Sequence, residues 1–261
     1  MRTTVESNDG RKIAYAHHGD GPETVVFLPD VGFGPWMWSW QVPRMTGPFR
    51  TVILATRGTD GSDDAGPYTV DRLVDDLETV TGDVGARRVH LVGAGLGGTV
   101  AIEYARKYGR ARGLVLLGAT RSGDVIDPRA LERLCPDTDD PAKYEASLSL
   151  AFSDDYLSSA DVHPIIEWRR DEDARGEALD RHLSVVRSYE SEALFDVENS
   201  ALVCHGVDDP VVPIDAGRDL ASELPGGRFE PIEGKRLCFV EHSAAVTDAI
   251  VGFLERESGE A

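Results

Sequence analysis

Short apolar runs alternate with stretches of helical spacing along most of this chain. Residues 3–6 and 11–18 alternate apolar and polar positions on either side of Asn8-Asp9-Gly10, which predicts a two-stranded hairpin. Residues 24–28 and 51–55 are largely apolar, the pattern of parallel strands covered on both faces. Val70, Leu73, Val74, Leu77 and Val80 recur at helical spacing and predict an amphipathic helix over 69–81. A strand over 89–92 then meets a glycine-rich turn and a helix from about Leu96, and residues 113–117 form another apolar strand. From 122 to about 198 the strand signals stop. Helical pieces take over, one with Leu179, Leu183 and Val186 on one face, broken by Pro128, Pro136, Pro141 and Pro164. Strands resume at 201–204 and 228–232. A last helix carries Val246, Ile250, Phe253 and Leu254 on one stripe, with residues 255–261 expected to fray.

Strands alternating with helices predict an α/β fold, a mostly parallel central sheet flanked by helices. The core domain is expected over 1–121 and 199–261 and a helical lid over 122–198, inserted after the sixth strand. Such an insertion would cover the carboxyl edge of the sheet, where folds of this class bind ligands. A chain of 261 residues is long enough for one substantial core. Its 46 acidic against 27 basic side chains leave a net charge of −19, which argues against nucleic acid and anionic membrane surfaces as partners. Cys135, Cys204 and Cys238 are too few and scattered for a disulfide framework, and no C-x-x-C suggests zinc, so no metal is expected. No apolar run is long enough to span a bilayer and the first residues lack a signal-peptide core, so a cytoplasmic protein is expected.

The turn Gly93-Ala94-Gly95-Leu96-Gly97-Gly98 admits two readings. Gly93-x-Gly95-x-x-Gly98 satisfies the dinucleotide fingerprint, but the next strand ends in Gly118-Ala119-Thr120-Arg121, without the acidic residue that would bind a ribose. No cofactor is therefore assigned. The other reading joins the turn to four further pieces in order: residues 25–40, Arg57-Gly58 with Ser62, His205-Gly206-Val207-Asp208-Asp209-Pro210, and Glu241-His242 opening the last helix. Together they are similar to the α/β-hydrolase superfamily, of the lid-bearing esterase, haloperoxidase and epoxide-hydrolase type. The resemblance covers nearly the whole chain.

That resemblance implies a G-x-S-x-G nucleophile elbow, and here Gly95 stands in the nucleophile position. It also implies His-Gly where this chain has Pro29-Asp30, and a catalytic histidine where the spacing places Arg236, or Leu237 after a slip of one residue. Asp209 is the one triad member in place, and it is a candidate base. Val31 and Leu96 would supply the oxyanion-hole amides. Gly95, Arg236, Phe33, Trp36, Trp38, Trp168 and Phe239 are the candidate substrate-binding residues, with Gly95 freeing room for a bulky small-molecule or peptide substrate. His163, His182 and His242 fit solvated or capping roles, and His205 a structural one. A glycine cannot attack and an arginine effectively keeps its proton. The chain is therefore expected to catalyse a non-hydrolytic reaction such as epimerisation, cyclisation or elimination, akin to bottromycin-type peptide epimerases. The alternative is an inactive pseudohydrolase that binds a small molecule or peptide.

Overall fold

The computed structural model describes residues 2–192 and 194–259. Eight strands, β1 (Arg2–Glu6), β2 (Lys12–His18), β3 (Glu23–Leu28), β4 (Phe49–Leu54), β5 (Val89–Ala94), β6 (Ala111–Leu117), β7 (Ser200–Gly206) and β8 (Gly226–Ile232), form one sheet in the order β1-β2-β4-β3-β5-β6-β7-β8. The hairpin pairs β1 with β2 and β2 with β4 antiparallel; every other pairing is parallel. Val25–Leu28 of β3 and all of β5 are buried, as continuous apolar runs require when helices cover both faces.

The helices are α1 (Val42–Met45), α2 (Val70–Asp83), α3 (Leu96–Lys107), α4 (Pro128–Leu134), α5 (Pro141–Ala151), α6 (Asp154–Ser159), α7 (His163–Glu172), α8 (Gly176–Ser188), α9 (Ile214–Glu223), α10 (Cys238–Glu241) and α11 (Ser243–Gly259). Thr69 caps α2 by accepting the Arg72 N–H, and Leu73, Val74, Leu77 and Val80 face the core. Helices α4 to α8 follow β6, as the fold class predicts. Three of the four prolines start helices rather than break them: Pro128, Pro141 and Pro164 lie in first turns, where the missing N–H costs nothing, and Pro136 lies between α4 and α5. The expected fraying from residue 255 is also corrected, since α11 stays helical to Gly259; residues 260–261 lie outside the described residues. Helix α9 and the short α1 have no counterpart in the sequence pattern. In α9 the buried stripe is Ala216, Gly217, Leu220 and Ala221, too small to stand out as apolar periodicity. Among the described residues no helix is long and apolar enough to cross a membrane.

Chain order reverses between β3 and β5, because β4 returns on the far side of β3. In open α/β sheets the crevice at such a reversal is where ligands bind. Leu28 pairs with Gly93 in register, so two residues further on Asp30 and Gly95 leave the sheet side by side.

Candidate active site

The turn between β5 and α3 carries a glycine at its tip. Gly95 adopts φ 43°, ψ −109°, a conformation that strains any residue with a Cβ. Gly93 and Gly97 let β5 and α3 approach closely; a Cβ on Gly93 would strike the Gly97 carbonyl, and one on Gly97 the Leu28 carbonyl. These contacts fix the start of α3 with its free N–H groups aimed back at the end of β3.

Asp30 takes the place that the sequence left open. Its Oδ1 accepts the Val31 N–H at 2.7 Å and the Leu96 N–H at 3.0 Å, so the two amides expected to form an oxyanion hole converge on a carboxylate of the chain itself. A Cβ added at Gly95 would collide with that same Oδ1 and with Arg236 Nη2. The carboxylate thus stands where a nucleophile's side chain would begin. The room expected above Gly95 is therefore not there: Asp30 and Arg236 fill it. The void beside the elbow, lined by Leu28, Pro29, Leu96 and Gly97 among others, measures about 10 Å³, space for one water at most.

Arg236 faces this centre and Leu237 does not; the Leu237 N–H is bound to the Ala151 carbonyl at the end of α5. The guanidinium donates through Nε (2.9 Å) and Nη2 (2.7 Å) to Asp30 Oδ2, and through Nη1 to Asp209 Oδ2 (2.9 Å) and the Gly118 carbonyl (2.7 Å). Asp209 turns its Oδ1 back to its own loop, accepting the Val211 and Val212 N–H groups at 2.8 and 3.2 Å. Relative exposures of 1%, 5% and 8% for Asp30, Arg236 and Asp209 put the whole Asp–Arg–Asp chain out of solvent. Burial alone would lower the Arg236 pKa. The adjacent carboxylates of Asp30 and Asp209 more than offset that and hold it above its ordinary value. This arginine is a permanent cation and a fourfold donor, and it cannot serve as a base.

The remaining candidates pack rather than line an opening. Trp38 stacks on Phe239 with ring centroids 5.3 Å apart and lies 5.1 Å from Phe27, all three buried. Phe33 and Trp36 are buried edge to face, and a chain of aromatic contacts runs from Trp36 through Trp40 to Trp168, which is 37% exposed at the surface. Residues Gly32–Trp36 are gripped by the helices above them. Asp173 Oδ1 accepts the Gly34 N–H and the Trp36 indole N–H, and Glu172 accepts the Trp36 backbone N–H at 2.8 Å. Arg169, itself buried, holds Asp173 at 2.9 Å and lies 4.7 Å over the Phe33 ring. His205 is buried with Nε2 2.9 Å from the Val212 carbonyl oxygen, consistent with a structural role. Among the described residues no three His, Cys, Asp or Glu side chains are grouped to hold a metal.

Two residues of this centre had no site role in the sequence reading. Asp30 carried a signal, an acid in the His-Gly position matched by an arginine in the histidine position, but pairing them needs the fold. His182 is corrected from a solvated or capping residue to a buried one: Nδ1 accepts the Gly32 N–H at 3.1 Å and Nε2 lies 2.8 Å from the Arg57 carbonyl oxygen. With one acceptor and one donor nitrogen used, the ring is neutral, and burial pushes its pKa down to about 4.

This has a pH consequence. An unfolded histidine titrates at about 6.5. Between that pH and about 4 the unfolded chain binds a proton that the folded chain refuses, so stability is full above about pH 6.5 and falls as the solution is acidified, by up to about 3 kcal/mol. We expect urea unfolding between about pH 7 and pH 5 to lose part of its pH dependence in His182→Gln. An unchanged slope would assign the acid sensitivity to other groups.

A family profile described as the alpha/beta hydrolase family matches residues 25–249, from β3 through the elbow and Arg236 into α11. The chain belongs to the alpha/beta hydrolase family. Relatives align from end to end. A protein of Caulobacter vibrioides named as carbamate hydrolase RutD is 25% identical over 97% of this chain and 98% of its own. The 3-oxoadipate enol-lactonase 1 of Acinetobacter baylyi is 24% identical over 90% and 91%. The crystal structure of a hydrolase from Pseudomonas aeruginosa PA01 matches with a TM-score of 0.84 at 27% identity, covering 97% of this chain and 98% of that one. These names correct the function inferred from the missing serine. Epimerisation, cyclisation and elimination are set aside, because relatives spanning the same frame are named for hydrolysis.

Gly95 has no side chain to attack with and Arg236 keeps its proton, so neither can form an acyl-enzyme. A p-nitrophenyl ester assay is expected to show no pre-steady-state burst, and a fluorophosphonate probe no labelling. A stoichiometric burst would locate a nucleophile elsewhere.

Proposed function

We propose that this chain is a hydrolase of small carbonyl compounds, of the carbamate or lactone kind, that works by direct attack of water and forms no covalent intermediate. One observation carries the reading: the Val31 and Leu96 amides converge on a single oxygen beside a glycine, an oxyanion hole without a nucleophile. The names of the relatives supply the reaction class.

In this reading a substrate oxygen takes the seat of Asp30 Oδ1 between the two amides. The displaced Asp30 carboxylate, released from its amide donors, becomes the base. It accepts a proton from water as the water oxygen bonds to the carbonyl carbon, and the carbonyl electron pair moves onto the oxygen held by the amides. Collapse of that intermediate breaks the bond to the leaving nitrogen or oxygen, which takes the proton back from Asp30. Asp209 was the earlier candidate for the base. Asp209 is not displaced by the substrate and keeps its bonds to its own loop and to Arg236, so its role here is to hold Arg236.

The test is turnover of a panel of carbamoyl compounds and lactones in ¹⁸O-labelled water. Label should enter the product carboxyl group with no adduct on the protein. Asp30→Asn, with folding checked by circular dichroism, should lower the rate by about 100-fold or more, the usual worth of a positioned base. No turnover above the protein-free rate, or full activity in Asp30→Asn, would overturn the proposal.

A further inference from the structure

Asp30 does more than block the hole; it shows what the hole is shaped to hold. Four donors converge on one planar group. The two amides reach Oδ1 at 2.7 and 3.0 Å, and Arg236 reaches Oδ2 through Nε at 2.9 Å and Nη2 at 2.7 Å. The donors come from three parts of the chain, the turn after β3, the start of α3 and the loop before α10, so no local turn explains their convergence. Arg236 is placed by Asp209 and the Gly118 carbonyl independently of Asp30. Its fork therefore stays aimed at the same spot when Asp30 leaves.

We infer that the cradle of the Val31 and Leu96 amides and the Arg236 guanidinium recognises a planar two-oxygen anion, a carboxylate or carbamate, which enters by displacing the Asp30 carboxylate. Hydrogen-bond accounting selects this class. When Asp30 swings out, four buried donors lose their acceptors, and each unsatisfied buried donor is costly. An incoming carboxylate or carbamate restores all four, two donors to each oxygen as Asp30 does. A neutral amide or ester carbonyl restores the two amides but leaves both Arg236 donors empty. An alcohol or amine does less. Asp30 is thus a tethered competitor that keeps the cradle filled until the right anion arrives. The inference rests on the hydrolase reading for its reason that substrate comes here, and it narrows that substrate to the carbamate class, since a lactone carbonyl would leave both Arg236 donors empty.

The experiment reads binding, without turnover, so the two ideas fail separately. Sodium acetate and neutral acetamide are titrated by calorimetry against the wild type, Asp30→Ala, and Asp30→Ala combined with Arg236→Lys. Asp30→Ala is expected to bind acetate at millimolar concentration and acetamide about 10-fold more weakly or worse, the difference made by two charge-assisted bonds. The wild type should need about 10-fold more acetate, since its own carboxylate competes at high effective concentration. The added Arg236→Lys should lose most of the acetate affinity because the fork is gone. A folded Asp30→Ala that ignores acetate, or that binds acetamide equally well, overturns the inference. If Asp30→Ala is unfolded in plain buffer, recovery in acetate but not in acetamide supports it, and recovery in neither overturns it. Acetate binding with no turnover of any carbamate or lactone would sink the hydrolase reading alone.

Discussion

Replacing Arg236 with methionine is expected to lower stability by about 3–5 kcal/mol, the usual penalty for removing one partner of a buried ion pair. The reason lies in what would remain. Asp30 and Asp209 both bind Arg236, at 2.7 and 2.9 Å, and both carboxylates have side-chain exposures of 1%. Without the guanidinium, two anions would share a dry site with only four backbone N–H groups for compensation. Adding Asp30→Asn and Asp209→Asn to the methionine should recover most of the loss, because a set of neutral partners has no charge to desolvate. Urea unfolding of the single and triple variants at neutral pH decides the point. A single variant as stable as the wild type would mean that the Asp–Arg–Asp chain carries no net energy.

The second large effect is a gain of chemistry. Gly95→Ser alone should not create an acyl-enzyme. The new Cβ would sit at positive φ and collide with Asp30, an overpacking worth about 1–3 kcal/mol of stability, and Arg236 would still occupy the base position. Combining Gly95→Ser with Asp30→Gly and Arg236→His changes all three terms. The collision goes, the Val31 and Leu96 amides are freed for an oxyanion, and an imidazole takes the position that Asp209 supports. This triple variant is expected to react with a fluorophosphonate probe at the introduced serine and to release p-nitrophenol about 100-fold or more faster than the wild type. A well-folded triple variant that shows neither would mean that the elbow no longer presents residue 95 correctly.

Much of this was legible in the sequence, and for a definite reason. Strands covered on both faces must be apolar throughout, so β3 and β5 stood out as runs. Amphipathic α2 stood out by its period, and the elbow by glycines that permit close approach of strand and helix. Features of small residues were harder to read: α9 buries alanine and glycine, and the first-turn prolines of α4 and α5 resemble breaks until their Asp127 and Asp140 caps are seen. The reaction class was not legible, because a missing serine does not by itself mean a missing hydrolysis. The relatives carry hydrolase names over the full frame.

By itself, then, the sequence determined the α/β-hydrolase fold, the absence of a nucleophile at Gly95 and the arginine in the histidine position, because each follows from local pattern and spacing. Only the tertiary structure decided that Asp30 accepts the Val31 and Leu96 amides, that Arg236 joins it to Asp209, and that His182 braces Gly32. Asp30 meets Leu96 across 66 residues and Arg236 across 206, and Gly32 meets His182 across 150. Contacts of that range are set by the reversal of strand order between β3 and β5 and by the closing of the helices over it. Neither leaves a periodic trace in the residues that it brings together.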